Sequence, residues 1–170
     1  MIVRTVSHLC VLAAVFLSAA AIAADQESRA LAGPVLLEVS GQGGAPVLRR
    51  FDRDALMALP QTSIQTYTDW TDGPQQFDGV LLVDLLDHVG VEGSVITAHA
   101  LNDYYAEIPA SDLSRHDILI AHTWNGERMR VRDRGPLWII YPSNNRQSGQ
   151  PDIDNSKMVW QLQKLHVSEQ

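Results

Sequence analysis

The residues best suited to chemistry lie in a short basic segment, residues 128–136, with the sequence Arg-Met-Arg-Val-Arg-Asp-Arg-Gly-Pro. On a β-strand, side chains two residues apart point to the same face, so Arg130, Arg132 and Arg134 would present three guanidinium groups to one anion. A second interpretation stays open, in which these arginines pair with nearby carboxylates and only tie loops together. The candidate carboxylates are Asp103, Asp133 and Glu107.

Large aromatic residues accompany the predicted loops around this segment. They are Trp70, Trp124, Trp138, Tyr141 and Trp160. A tryptophan most often packs in a core, and stacking of Trp70 or Trp138 on a ligand is the alternative.

Other kinds of reactive site find little support in the sequence. The five histidines after residue 23 show no spacing typical of metal ligands, and no Glu-x-x-His pair occurs. No Gly-x-Ser-x-Gly motif indicates a serine nucleophile. We therefore expect no metal ligands, and the sequence identifies no catalytic residue.

The first 23 residues have the features of an export signal. Arg4 precedes the apolar run Leu9–Leu17, and Ala21-Ile22-Ala23 fits the small residues of a cleavage site. The stretch from Leu9 to Ala24 is about 16 residues long, whereas a membrane-spanning helix needs roughly 20, so we expect no membrane insertion of the mature chain. Cleavage near Ala23 would remove Cys10 and leave the protein periplasmic or secreted.

Composition limits the remaining function classes. The 170 residues include 13 Lys and Arg against 20 Asp and Glu, a net charge of −7 that becomes −8 when Arg4 is removed. Nucleic-acid affinity comes mainly from clustered positive charge, so nucleic acid is excluded as a partner. We expect a signal peptide over residues 1–23, a flexible polar lead-in over 24–33 and a single domain over 34–170.

Hydrophobic patterns predict short strands with few helices. Val35–Ser40 and Pro46–Phe51 flank a glycine-rich hairpin turn, and Asp52 caps a short helix that follows. Leu82–Val89 has helical periodicity and ends at Gly90. Further strands are expected at Ser63–Thr68, Val95–Leu101, Tyr105–Ile108, Ile118–Trp124, Leu137–Tyr141 and Leu162–Val167.

Two local features complete this pattern. Asn125-Gly126 is typical of a two-residue hairpin turn. The long polar segment Pro142–Ser156 is either a binding loop or a flexible surface loop. The whole pattern predicts an α+β fold with a mixed or antiparallel β-sheet core and short helices.

Several segments occur in an order that is similar to a known family. They are Trp70–Gly73, Phe77–Leu82, Asp84–Leu86, Asn102–Tyr104, Glu107–Pro109, Ile118–Ala121, Asn125–Glu127, Arg132–Pro142 and Trp160. Together they cover roughly residues 35–167 and resemble the sulfite-oxidase-type molybdopterin-binding domain. The resemblance implies a sheet-centred α+β fold and a cofactor or ligand cleft. That cleft would be lined by Thr68, Trp70, Asn102, Asp103, Arg130, Arg132, Arg134 and Trp138.

The sequence departs from this family at cofactor-binding positions. Catalytic members hold molybdenum through a cysteine thiolate about ten residues before the aromatic-x-Gly segment, where this chain has Thr66, Tyr67 and Thr68. A threonine hydroxyl does not replace this soft, anionic ligand at neutral pH. Catalytic members also tend to carry an arginine where this chain has Trp138, and a basic residue where it has Val159.

Two functions follow from the resemblance and its departures. The first is an exported domain without molybdenum catalysis and without cofactor, which binds a small ligand such as an anion or contacts a membrane sensor or redox partner protein. The second is an oxidoreductase that holds molybdopterin without a cysteine ligand, with Arg130, Arg132 and Arg134 binding the cofactor phosphate.

Overall fold

The computed structural model describes residues 31–143 and 155–169. Contacts along the chain define two compact units, Met1–Leu31 and Ala32–Gln170, and Leu31 is the only described residue of the first. The predicted signal peptide and most of the predicted lead-in lie outside the described residues, as does most of the predicted loop of 142–156. The domain boundaries therefore stay predictions.

Five strands form the first sheet. They are β1 (Leu37–Gln42), β2 (Pro46–Phe51), β5 (Val95–Ala100), β6 (Tyr105–Pro109) and β10 (Leu162–Ser168). The strand order is β2-β1-β10-β5-β6, in which β1 and β10 are parallel and the other neighbours are antiparallel. Alternate residues of β1 and β5 are buried, as a sheet with one face against the core requires.

The second sheet is antiparallel. Its strands are β3 (Thr62–Thr66), β4 (Gln75–Leu81), β7 (Leu119–Trp124), β8 (Glu127–Arg128) and β9 (Trp138–Ile140). The order is β3-β4-β7-β8, and β9 also pairs with β7. Asn125 and Gly126 connect β7 to β8 with φ angles of 50° and 78°, which confirms the predicted hairpin turn.

Two short α-helices are present, and the start of the first and the end of the second are those that the sequence predicts. In α1 (Arg53–Met57), the Asp52 side chain accepts a hydrogen bond from the Ala55 amide at 2.9 Å. In α2 (Leu82–Val89), the predicted apolar residues are buried and Gly90 ends the helix in the left-handed conformation, with φ of 73°. Short 3-10 helices lie at Ala110–Asp112, Val131–Asp133 and Asn155–Lys157.

Buried residues form two hydrophobic clusters. The larger joins residues of both sheets with the apolar sides of α1 and α2. The smaller contains residues of β4, β7 and β9, and three partly buried tryptophans pack against it. In the described ranges, no helix has the length and apolar character needed to cross a membrane. The strands and short helices confirm the predicted α+β class with mixed and antiparallel sheets.

The prediction that residues 130–134 form a strand is wrong. Strand β8 ends at Arg128, and the chain then turns back on itself, because the amides of Asp133 and Gly135 both donate to the Arg130 carbonyl. Residues Val131–Asp133 form a 3-10 helix, and Arg134 is left-handed with φ of 67°. Side chains two residues apart therefore do not share a face here, and the predicted convergence of three arginines does not occur.

Strand β4 is the element that the sequence pattern does not indicate. Asp78 and Gly79 are poor strand formers, so this strand is stabilised by pairing with β3 and β7 rather than by local preference. A side chain at Gly79 would collide with the Ile120 carbonyl of β7, so only glycine allows this close approach.

Candidate ligand-binding site

All four tryptophans of the chain lie in one group, here called the tryptophan cluster: Trp70, Trp124, Trp138 and Trp160. Trp70 is edge-on to Trp138 at 6.0 Å and to Trp160 at 5.3 Å between ring centroids. Trp138 is fully buried and also contacts Phe77 at 5.5 Å, whereas the other three tryptophans are half-buried. The predicted core role holds for Trp138, and the remaining rings reach the surface.

Backbone pairing positions these rings. Trp138 on β9 lies opposite Ala121 of β7 and forms a β-bridge with Trp160, and its indole N–H donates to the Met158 carbonyl at 3.2 Å. The indole N–H of Trp124 donates to Gln75 Oε1 at 3.0 Å. Among the described residues, the indole N–H groups of Trp70 and Trp160 have no hydrogen-bond partner.

Arg134 lies against the tryptophan cluster. Its guanidinium carbon is 5.4 Å from the Trp138 ring centre and 5.6 Å from that of Trp160, which is cation–π range. Its Nη2 donates a long hydrogen bond of 3.5 Å to the Trp70 carbonyl. No carboxylate in the described part of the chain pairs with Arg134. A half-buried cation, with no carboxylate partner among the described residues, therefore lies beside the buried Trp138 ring and the partly exposed Trp160 ring.

Arg130 and Arg132 belong to a different arrangement. Both approach Asp133 Oδ2, at 2.8 Å and 3.6 Å, and both side chains are mostly exposed. The Arg130 hydrogen bond is the main cause that lowers the pKa of Asp133; burial opposes it, and the charges of both arginines add to it. The predicted carboxylate partner Asp133 is thus found, whereas no described ion pair involves Asp103 or Glu107.

The positions expected for a metal thiolate are occupied by threonines whose hydroxyls bond within the chain. Buried Thr66 donates to the Ser143 carbonyl at 3.0 Å and accepts from the Ser143 amide at 2.6 Å. Buried Thr68 shares a hydrogen bond of 2.9 Å with Thr71 and accepts one from the Trp70 amide at 3.3 Å. The Thr68 hydrogen bonds stabilise the loop that carries Trp70, so the role of Thr68 at the site is structural.

The residues of this chain do not fit molybdenum held by a protein thiolate. Neither Thr66 nor Thr68 has a free hydroxyl, and within the described ranges no three His, Cys, Asp or Glu side chains could hold a metal ion. The arginines expected to bind a cofactor phosphate have other partners. Arg130 and Arg132 pair with Asp133, and Arg134 lies against the tryptophan cluster.

Asn102 and Asp103 lie at the edge of this region. They form the exposed turn between β5 and β6, where Asn102 Oδ1 accepts from the Tyr104 amide and Asp103 has φ of 63°. In the described part of the chain, neither side chain forms a hydrogen bond or ion pair with an arginine of the predicted cleft. These two predicted site residues are not brought into contact with the Arg134 guanidinium.

Two residues of the site were not among the sequence candidates. Trp160 forms one side of the cluster, and Gln161 connects it to the arginine segment. The Gln161 amide donates to the Arg134 carbonyl at 2.9 Å, and the Gln161 side chain donates to the Val131 carbonyl at 2.8 Å. The Gln161 carbonyl accepts from the Leu101 amide. The position of Trp160 just before the last strand is a usable sequence signal, whereas Gln161 carries none.

Comparisons with known proteins agree with this fold. The model of the family described as oxidoreductase molybdopterin binding domain matches residues 37–145. A solved structure, the sulfane dehydrogenase SoxCD from Paracoccus pantotrophus, is similar with a TM-score of 0.60 and 19% identity. The match covers 78% of this chain and 37% of that chain, so this chain spans well under half of its length. No curated protein matches the sequence. The chain belongs to the oxidoreductase molybdopterin binding domain family.

Proposed function

We propose that this protein is an exported member of the family that binds a small anion at the tryptophan cluster and does not carry out molybdenum catalysis. The features of residues 1–23 support export. The internally bonded hydroxyls of Thr66 and Thr68 support the loss of metal binding.

The observation that carries the proposal is the environment of Arg134. Arginine is favoured for anion recognition because its planar guanidinium donates several hydrogen bonds in a fixed geometry. The Trp138 and Trp160 rings hold this group in place and partly exclude water, which strengthens its attraction to an anion. Within the described residues the indole N–H groups of Trp70 and Trp160 have no partner, so they supply two further donors.

Titration of the purified, exported protein with small inorganic anions tests this site. Sulfate and phosphate serve as probes, and intrinsic fluorescence is a direct readout because all four tryptophans lie in the cluster. Arg134→Gln should weaken binding at least about tenfold, since a hydrogen bond to a charged group contributes roughly 1.5–3 kcal/mol. Arg132→Gln is the matched control, because it removes the same charge from an exposed side chain that pairs with Asp133. Equal effects of the two substitutions would contradict a specific role for Arg134.

Metal and cofactor analysis tests the absence of molybdenum catalysis. Protein purified from its own export route should contain molybdenum far below one atom per chain. Stoichiometric molybdenum, together with a fluorescent pterin after oxidation, would overturn this half of the proposal and favour an oxidoreductase that holds its cofactor without a cysteine.

A further inference from the structure

The segment that carries Trp160 contains a largely buried lysine. Residues 155–160, here called the strap, begin with the 3-10 helix Asn155–Lys157 and end at Trp160 of the tryptophan cluster. The Lys157 side chain is only 18% exposed, and its Nζ lies 2.8 Å from Oδ2 of Asp112, whose side chain is 3% exposed. Lysine is rarely buried to this extent without a partner, so the ion pair determines where this part of the strap lies.

The carboxylate of Asp112 has other partners besides Lys157. Arg115 donates to Oδ1 at 2.6 Å, and the Tyr141 hydroxyl donates to Oδ2 at 3.1 Å. Arg115 therefore already neutralises the charge of this carboxylate. A buried ion pair contributes little net stability, because the cost of removing both charges from water offsets their attraction. The presence of Lys157 is therefore better explained by the position that it gives the strap than by the stability of the fold.

The strap also contacts the loop that carries Trp70. The Asn155 side-chain amide donates to Oδ2 of Asp69, which immediately precedes Trp70 in the chain. Asn155 and Lys157 lie two residues apart in one turn of 3-10 helix, so the position of one constrains the position of the other. The contact between Lys157 and Asp112 therefore affects the Trp70 loop as well as the strap.

The end of the strap forms one side of the tryptophan cluster. The Met158 carbonyl accepts from the indole N–H of Trp138 at 3.2 Å, and Trp160 follows two residues later. The Trp160 ring centre lies 5.3 Å from that of Trp70 and 5.6 Å from the guanidinium carbon of Arg134. A strap held in one position keeps these groups in place before a ligand arrives, which lowers the cost of binding.

We propose that Lys157 is a positioning residue of the anion site: its ion pair with Asp112 holds the strap so that Trp160 and the Trp70 loop meet beside Arg134. The Lys157 ammonium binds Asp112 rather than the ligand, so Lys157 acts through the strap. This inference rests on the proposed function for the kind of ligand, whereas the arrangement of the rings can be tested without one. When the ion pair is lost, the strap should occupy the binding arrangement for only part of the time, and the apparent affinity should fall by that fraction.

Sulfate titration of the purified, exported protein, followed by tryptophan fluorescence, tests the effect on binding. Lys157→Met should weaken sulfate binding at least about threefold, because it removes the charge and keeps a long side chain. Arg115→Met is the matched control, since it removes a cation from the same carboxylate but lies outside the strap. It should leave the affinity within about twofold of the wild type. Lys157→Arg keeps the charge and should restore most of the affinity that Lys157→Met loses.

The indole N–H signals in nuclear magnetic resonance report the arrangement of the rings without a ligand. Single tryptophan-to-phenylalanine substitutions assign the four signals. Lys157→Met should shift the signals of Trp138 and Trp160 more than that of Trp124, whose indole N–H is bonded outside the strap. Arg115→Met should leave all four signals close to their wild-type positions.

The possible results separate this inference from the proposed function. If Arg134→Gln weakens sulfate binding and Lys157→Met does not, the anion site stands and the positioning role is overturned. If the wild type does not bind sulfate, the proposed function fails, and the indole signals alone decide whether Lys157 positions the rings.

Three other results would also overturn the positioning role. Equal effects of Lys157→Met and Arg115→Met would indicate a general response to lost charge. A loss of affinity that Lys157→Arg does not restore would mean that the cation at this position is not what matters. Denaturant unfolding checks that each variant is folded, and a Lys157→Met variant that does not fold would show that the ion pair serves stability instead.

Discussion

At the scale of single residues, Thr66 illustrates a polar group whose function in this chain is structural. It is fully enclosed and its hydroxyl both donates to and accepts from the backbone of Ser143. The valine side chain has nearly the same shape but leaves the Ser143 amide without its acceptor. We expect Thr66→Val to lower the free energy of unfolding by about 1–3 kcal/mol.

Denaturant unfolding of the purified protein measures this change. Ser63→Ala, at an exposed position of the same strand, should change stability by no more than about 0.5 kcal/mol. A Thr66→Val variant as stable as the wild type would contradict this structural role of the hydroxyl.

The ionisation of Asp112 is linked to the stability of the fold. Its buried carboxylate accepts from Arg115 at 2.6 Å, Lys157 at 2.8 Å and Tyr141 at 3.1 Å. Burial alone would raise the pKa of Asp112, but the hydrogen bonds from Lys157 and Tyr141, the charge of Lys157 and the hydrogen bond from Arg115 together lower it.

The lowered pKa of Asp112 makes the free energy of unfolding depend on pH. Because the folded-state pKa of Asp112 is below the ordinary value of 3.8, its contribution is complete above that pH and is lost as the pH falls through the folded-state pKa. Asp112→Asn should therefore destabilise the protein by about 3 kcal/mol at pH 7 and by less in acid. Unfolding free energies between pH 7 and 2.5, with exposed Asp54→Asn as control, measure this. A constant difference across that range would mean that ionisation of Asp112 is not linked to folding.

At the scale of secondary-structure elements, the C-terminal end of α2 depends on the backbone conformation of Gly90. Gly90 has φ of 73°, and no neighbouring atom lies within contact distance of where a side chain would begin. Gly90→Ala should therefore lower stability only through backbone strain, by about 1–2 kcal/mol. Asparagine tolerates this conformation better, so Gly90→Asn should cost less. Thermal unfolding distinguishes the two, and an alanine variant with unchanged stability would contradict the strain argument.

The elements also show which kinds of structure a sequence reveals. Hairpins and helix ends were predictable because Asn125-Gly126, Asp52 and Gly90 act on their immediate neighbours. Strand β4 was not, because it is stabilised by strands on both sides. The strand prediction for the arginine segment was wrong for a related reason. The alternating pattern is typical of a strand, but hydrogen bonds to the Arg130 carbonyl close the segment into a turn.

At the scale of the whole molecule, the proposed export would have a simple chemical consequence. The chain has one cysteine, Cys10, within the predicted signal peptide. The exported protein should therefore contain no titratable thiol after denaturation, whereas the full-length chain should contain one. A thiol reagent measures both, and the N-terminal sequence should begin near Ala24. One thiol per exported chain would mean that cleavage does not occur after Ala23.

The sequence by itself determined the features that depend on neighbours along the chain: most of the short strands, the start of α1, the end of α2, the hairpin turns, the acidic net charge and the lack of cysteine after position 10. Only the tertiary structure decided which polar groups meet. Thr66 bonds to Ser143 across 77 positions, His122 to Gln61 across 61 and Arg134 to Trp70 across 64. Such contacts arise from strand pairing and packing, whose partners no local pattern specifies. For that reason the basic segment could be recognised in the sequence, whereas the contact of Arg134 with the tryptophan cluster could not be predicted.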